Sequence, residues 1–189
     1  MDIAWIFIFL VLYALIQVNI HESSHALVAT LLGVPIDEYK PYPHKKGDMF
    51  YFGRVSYADD FPFHTLDWKM SLSHLAPVAF NILFTVALLI VCATTDLTPW
   101  VRGLVLAIMY NNLIDGLNNE RQGLFSANLL EKNCEWIFGE RGRWIGSKYD
   151  ILKWGVRTGK NPWQIRFHAI GVTTFLVVSC TLATVIQFV

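Results

Sequence analysis

From Ile3 to Ile20 the chain is apolar at every position except Gln17 and Asn19; it then reads His21-Glu22-Ser23-Ser24-His25, and Ala26 to Leu32 is again almost wholly apolar. A run of this length inside lipid must satisfy its own backbone hydrogen bonds, which leaves a helix as the only simple solution. A helix of about 30 residues is about 45 Å long, more than the hydrocarbon core requires, so the five polar residues fall below its midpoint. Gly33 and Pro35 follow where such a helix should stop. Asp2 precedes the run, no Lys or Arg does, and no small-x-small cleavage site follows it, so we read a transmembrane helix rather than a signal peptide.

The remainder repeats the theme. Apolar stretches recur at about 71–94, 99–116 and 165–188. Apolar residues make up 54% of the 189 and charged residues only 16%, against roughly a quarter in soluble domains. The expected fold class is an all-α polytopic membrane protein, a single domain over 1–189, with about four transmembrane helices at about 3–33, 71–94, 99–116 and 165–188. Fifteen cationic and fifteen acidic residues cancel, so there is no global field to attract nucleic acid. Between the first two helices, Tyr39, Tyr42, Phe50, Tyr51, Phe52, Val55 and Tyr57 have strand character. Lys45 to Asp48 offers a turn, and a β-hairpin is expected at about 37–57, kept short by Pro41, Pro43 and Pro62.

Residues 117–164 are polar, with Trp136, Trp144, Trp154 and Trp163 and several glycines, which suits a partly helical segment at the membrane surface. Nine Lys/Arg residues lie between 117 and 166. The positive-inside rule therefore places loops 34–69 and 117–164 in the cytosol and both termini on the opposite side. Cys92, Cys134 and Cys180 have no paired spacing and are read as small hydrophobes.

His21 to His25 is an H-E-x-x-H pattern. Histidines at i and i+4 share one helical face, near enough to ligate one ion. Neutral imidazole suits zinc, and zinc brings the pKa of water down to about 7. Glu22 stands beside the first ligand, placed to take a proton from that water and pass it to a leaving amine. Ionisable groups in lipid are costly unless they face one another or a polar cavity, so two histidines and a glutamate within a membrane run argue for a site. A catalytic zinc needs a third protein ligand and an open position. Asp115, at the end of the third apolar stretch and followed by Gly116, is the candidate. The expected cofactor is one Zn2+ per chain, held by His21, His25 and Asp115.

These elements together resemble the site-2 protease family of intramembrane metalloproteases. The resemblance rests on His21-Glu22-Ser23-Ser24-His25, on Ala76-Pro77-Val78-Ala79-Phe80-Asn81 and on Ile114-Asp115-Gly116, in this order, over residues 10–120. Alanine stands where the family has glycine before the proline, and isoleucine where it has leucine before Asp-Gly. The resemblance implies hydrolysis of a peptide bond in or near a transmembrane segment of a membrane-protein or peptide substrate. It also implies that Asn81 helps hold the substrate backbone or the developing oxyanion, and that the hairpin edge receives an unwound substrate strand. His74 is a candidate for orienting a ligand or touching substrate, and Asn111 and Asn112 either lie beside the ligands or end the third helix. His44 and His64 are read as solvated and His168 as interfacial. Two other readings stay open: an inactive relative that binds membrane partners, and a membrane metal-binding protein.

Overall fold

The structure, a computed structural model, describes residues 2–58, 67–125 and 150–188. Its elements are α1 (Asp2–Leu32), β1 (Ile36–Lys40), β2 (His44–Lys46), β3 (Met49–Tyr51), β4 (Arg54–Tyr57), α2 (Trp68–Thr94), α3 (Pro99–Phe125), α4 (Asp150–Arg157) and α5 (Pro162–Phe188). Three helices, α1, α2 and α5, are long and apolar enough to cross a membrane. The third apolar stretch forms α3, whose polar residues keep it outside that class.

The helix ends follow from local chemistry. Gly33, at φ 70°, closes α1. Its N–H donates to the Thr30 carbonyl at 3.2 Å and that of Val34 to the Ala29 carbonyl at 2.8 Å, which satisfies carbonyls the helix end would leave open. Asp67 caps α2, its carboxylate accepting from the Lys69 and Met70 amides at 3.0 and 3.1 Å. At α5, Asn161 Oδ1 accepts from the Gln164 amide at 2.9 Å while Gln164 Oε1 accepts from the Asn161 amide at 3.1 Å. Pro162 stands at the first helical position, where its missing N–H has no cost.

The four long helices alternate in direction. Trp5 meets Gly103, the Leu10 carbonyl meets Asn111, and His21 meets Asp115, so α1 and α3 run parallel. Met109 with Cys180, and Gly116 with Leu176, set α5 antiparallel to α3. One apolar cluster joins Cys92, Leu106, Met109 and Cys180 between α2, α3 and α5. Another joins Ala29, Val34, Tyr57 and Met70, and so seats the hairpin base where α1 ends and α2 begins. Cys92 and Cys180 are buried free thiols, as their sequence context suggests.

The hairpin is one excursion broken into two short antiparallel ladders, β1 with β4 and β2 with β3. The interruption at 41–43 coincides with Pro41 and Pro43, which cannot donate to a ladder. Gly47, at φ 60°, makes the turn.

Two boundaries differ from expectation. The third helix continues through Gly116 to Phe125, because Gly116 provides a place for Leu176 of α5 rather than a break: a Cβ there would lie 2.4 Å from Leu176 Cδ1. The described end of the segment 117–164, from Asp150 onward, is also less superficial than its polarity suggests. Ile151, Leu152, Lys153 and Arg157 of α4 are buried, and the Arg157 carbonyl accepts from the Asp67 amide at 3.2 Å. His168, expected at the interface, sits 3.7 Å from the fully buried Glu120. Residues 126–149, with Cys134, Trp136 and Trp144, and also His64, lie outside the described residues.

Candidate metal centre

Residues 17, 21 and 25 fall on one face of α1 and bring Gln17, His21 and His25 into the bundle. The two imidazoles lie edge to face, with centroids 5.0 Å apart. Each has its Nδ1 committed to an acceptor. His25 Nδ1 donates to the Ser73 carbonyl at 2.6 Å. That carbonyl is available because Pro77, four residues on, has no N–H to bond it. The proline in α2 and the histidine in α1 are thus one device. His21 Nδ1 donates to the Asp115 carboxylate, whose oxygens lie 3.0 and 3.1 Å away.

With both Nδ1 atoms donating, the Nε2 atoms present lone pairs when the rings are neutral. They face a carboxylate absent from the sequence-level ligand set. Asp150, at the start of α4, places Oδ2 3.3 Å from His25 Nε2 and 3.9 Å from His21 Nε2. Three electron-pair donors directed at one point repel one another unless a proton or a metal ion lies among them. The candidate ligand atoms of His21, His25 and Asp150 all lie within 4.8 Å of one another. Tetrahedral zinc with N and O ligands at about 2.0–2.1 Å sets those ligands about 3.4 Å apart, so the His25–Asp150 pair at 3.3 Å already has that spacing and the other pairs would draw closer around an ion. Asp150 lies among the His21, His25 and His74 imidazoles. An ionised carboxylate is the form a metal requires.

The other expected residues surround this point in different ways. Glu22 is next to His21 on α1 and is covered by the hairpin, since a Cβ at Gly53 would come 2.5 Å from Glu22 Cγ. A hydrogen bond of 2.7 Å between Ser23 Oγ and Tyr39 Oη fastens the hairpin to the same turn. Asp115 lies on the Nδ1 edge of His21, where a carboxylate orients an imidazole and raises its basicity. Asn81 is buried and turned to Asp115, with Nδ2 donating to Oδ2 at 2.7 Å. His74, nearly inaccessible, lies with Nδ1 3.3 Å from the other Asp150 oxygen and its ring edge-on to Tyr57. Asn111 and Asn112 bind elsewhere. Asn111 Nδ2 donates to the Leu10 and Ala107 carbonyls, and Asn112 Nδ2 lies 3.4 Å from Thr85 Oγ1, which ties α3 to α1 and to α2.

Sequence reasoning overlooked Asp150 and Gln17. Asp150 is one acidic residue in a polar segment with no motif around it. Gln17 did carry a signal, as a polar residue in an apolar run exactly one i+4 step before His21. No family model matches the chain, and neither curated proteins nor solved structures give a match to it.

Proposed function

We propose that the chain is an intramembrane zinc metalloprotease that cuts a peptide bond in or near a substrate's transmembrane segment. The observation that carries this reading is the convergence of His21, His25 and Asp150 on one point, beside Glu22 on a helix apolar enough to cross a membrane. In this reading His21, His25 and Asp150 hold the metal, and Asp115 acts through His21. When bound, zinc supplies Lewis acidity at the scissile carbonyl and makes water acidic enough to deprotonate near neutral pH. Glu22 accepts that proton and returns it to the leaving amine. Asn81 is occupied with Asp115, so it serves the site by holding that carboxylate. The hairpin, lying over Glu22, presents strand edges to an extended substrate, which a hydrolase of buried peptide bonds needs because a helix hides them. We assign a fourth membrane crossing to residues 99–116 of α3, and loops 34–69 and 117–164 to the cytosolic side.

A second reading, a non-catalytic membrane metal-binding protein, is favoured by His74, which puts a third imidazole 3.3 Å from Asp150. Glu22→Gln separates the two. The purified protein is reconstituted in liposomes with zinc and a transmembrane peptide. The protease reading predicts cleavage by the wild type, its loss in Glu22→Gln, and unchanged zinc content in that variant. Cleavage that persists in Glu22→Gln would refute the mechanism.

A further inference from the structure

Two polar residues interrupt the apolar first part of α1, and they face opposite ways. Gln17 is buried, its Nε2 donating to Asn81 Oδ1 at 2.9 Å. Asn19 is exposed. A hydrocarbon layer of about 30 Å covers about 20 helical residues, so wherever that layer falls on the 31 residues of α1, Asn19 lies inside it. An amide facing lipid is costly. Asn19 Nδ2 donates to the Leu15 carbonyl at 3.0 Å, the one hydrogen bond of this side chain among the described residues. That bond uses one of two N–H groups and leaves the carboxamide oxygen for a partner outside the chain.

The place of Asn19 says what that partner is. It stands one turn before Glu22 and Ser23 on the same side of α1, where Tyr39 bonds Ser23 and Gly53 packs on Glu22 and Val18. Toward the N-terminus this face continues as Leu12, Leu15 and Ile16, all exposed and bulky. It has none of the small residues, four apart, that bring two membrane helices into backbone contact, so an intact second helix fits it poorly. An extended chain fits it well. Its peptide groups have lost their helical partners and each needs a new one in lipid. A carboxamide matches a peptide group donor for acceptor. We propose that Asn19 is a substrate-binding residue whose carboxamide pairs with a backbone peptide group of an unwound transmembrane segment lying beside Glu22. The proposal rests on the protease reading above. Side chains one turn apart have Cβ atoms about 5–6 Å apart, and an extended chain advances about 3.3 Å per residue. The peptide group held by Asn19 is therefore about two residues from the one facing Glu22.

The test measures binding, so that it does not depend on turnover. The full chain carrying Glu22→Gln, with and without Asn19→Leu, is placed in liposomes, and energy transfer to labelled peptides is titrated. Two peptides of about 20 apolar residues are used, one wholly Leu and Ala, the other with a central Gly-Pro that unwinds its helix. Asn19→Leu should weaken binding of the Gly-Pro peptide by about 3–30-fold, the worth of one hydrogen bond in lipid. Binding of the Leu-Ala peptide should not change. The melting temperature should stay the same or rise, because leucine takes an amide out of lipid. No loss for the Gly-Pro peptide, an equal loss for both peptides, or no binding before Asn19 is changed would overturn the proposal. So would energy transfer between two labelled copies of the protein that disappears in Asn19→Leu, which would assign the amide to a second copy of the chain. If the Gly-Pro peptide binds through Asn19 and protein with Glu22 intact never cuts it, the protease reading fails and the Asn19 contact stands.

Discussion

At the residue scale, the proposed base and the proposed ligands are constrained by different neighbours, so they can be disturbed separately. Gly53 is the lever on Glu22. A methyl group there would meet Glu22 Cγ at 2.5 Å and Val18 Cγ1 at 3.0 Å. The carboxylate must swing aside, while His21, His25 and Asp150 do not touch that contact. Gly53→Ala is therefore expected to lower the cleavage rate by about 100-fold, the usual cost of misplacing a reacting group by about 1 Å, with zinc content unchanged. Rate assays beside metal analysis check this; a variant that cuts at the wild-type rate would show that Glu22 has room the structure does not give it. Residue identities also mark what could be read from sequence. His21 and His25 were legible because helical periodicity puts them on one face, and Glu22 because it stands next to His21 in the motif. Asp150 was not, because its approach depends on α4 folding back against α2 and α3, a long-range event with no local signature.

At the element scale, the proline in α2 exchanges helix strength for ligand orientation. Pro77→Ala supplies an N–H that competes with His25 for the Ser73 carbonyl. The expected outcome is opposite in sign for two measurements: thermal stability rises, and zinc affinity falls by about 10-fold. A rise in both, or a fall in both, would break the link between Pro77 and His25. The sequence shows the proline and the gap it leaves, but not which group fills it, since the partner comes from another helix. The hairpin was legible from its aromatic residues and its Lys-Lys-Gly-Asp turn. Its electrostatics were not, because they depend on cross-strand register. Hydrogen bonds from Lys46 and Lys40 pull the Glu38 carboxyl down from 4.5 to about 2, and Arg54 Nε lies 3.4 Å away. A carboxylate with a depressed folded pKa stabilises the fold fully above its unfolded value. Its contribution then fades as pH falls below about 4.5 and is gone below about 2. The solvent exposure of Lys40 and Lys46 keeps this to less than about 1 kcal/mol. The melting-temperature gap between wild type and Glu38→Gln should thus be small at pH 7 and narrower at pH 3; a gap that widens on acidification would contradict the assignment.

At the scale of the whole molecule, long apolar segments and loop lengths made the alternating helical layout legible before any contact was known. What they could not give is how closely the helices approach. Gly103 lets α3 lie against the backbone of Trp5 in α1, where a Cβ would come within 2.4 Å of Trp5 Cβ and 3.0 Å of its carbonyl carbon. That close approach brings Asp115 to the edge of His21. α3 is also the element whose end was misjudged, because glycine and asparagine near 116 suggest a stop when helix propensity is considered without tertiary packing. Its extra turns carry Asn119, which donates to the Asp115 carbonyl at 3.1 Å, and Glu120. The site is thus assembled from α1, α2, α3 and α4, so it cannot exist before the bundle does.

The central claim is that His21, His25 and Asp150 bind one metal ion, with Asp115 acting through His21. The most direct test is the zinc content and affinity of detergent-purified, folded protein: wild type, His25→Ala, Asp150→Ala and Asp115→Asn. About one zinc per chain is expected in wild type, none in His25→Ala or Asp150→Ala, and retained zinc with affinity weakened by about 10–100-fold in Asp115→Asn. Folded wild type that takes up no zinc, or zinc that survives Asp150→Ala but is lost in Asp115→Asn, would contradict it.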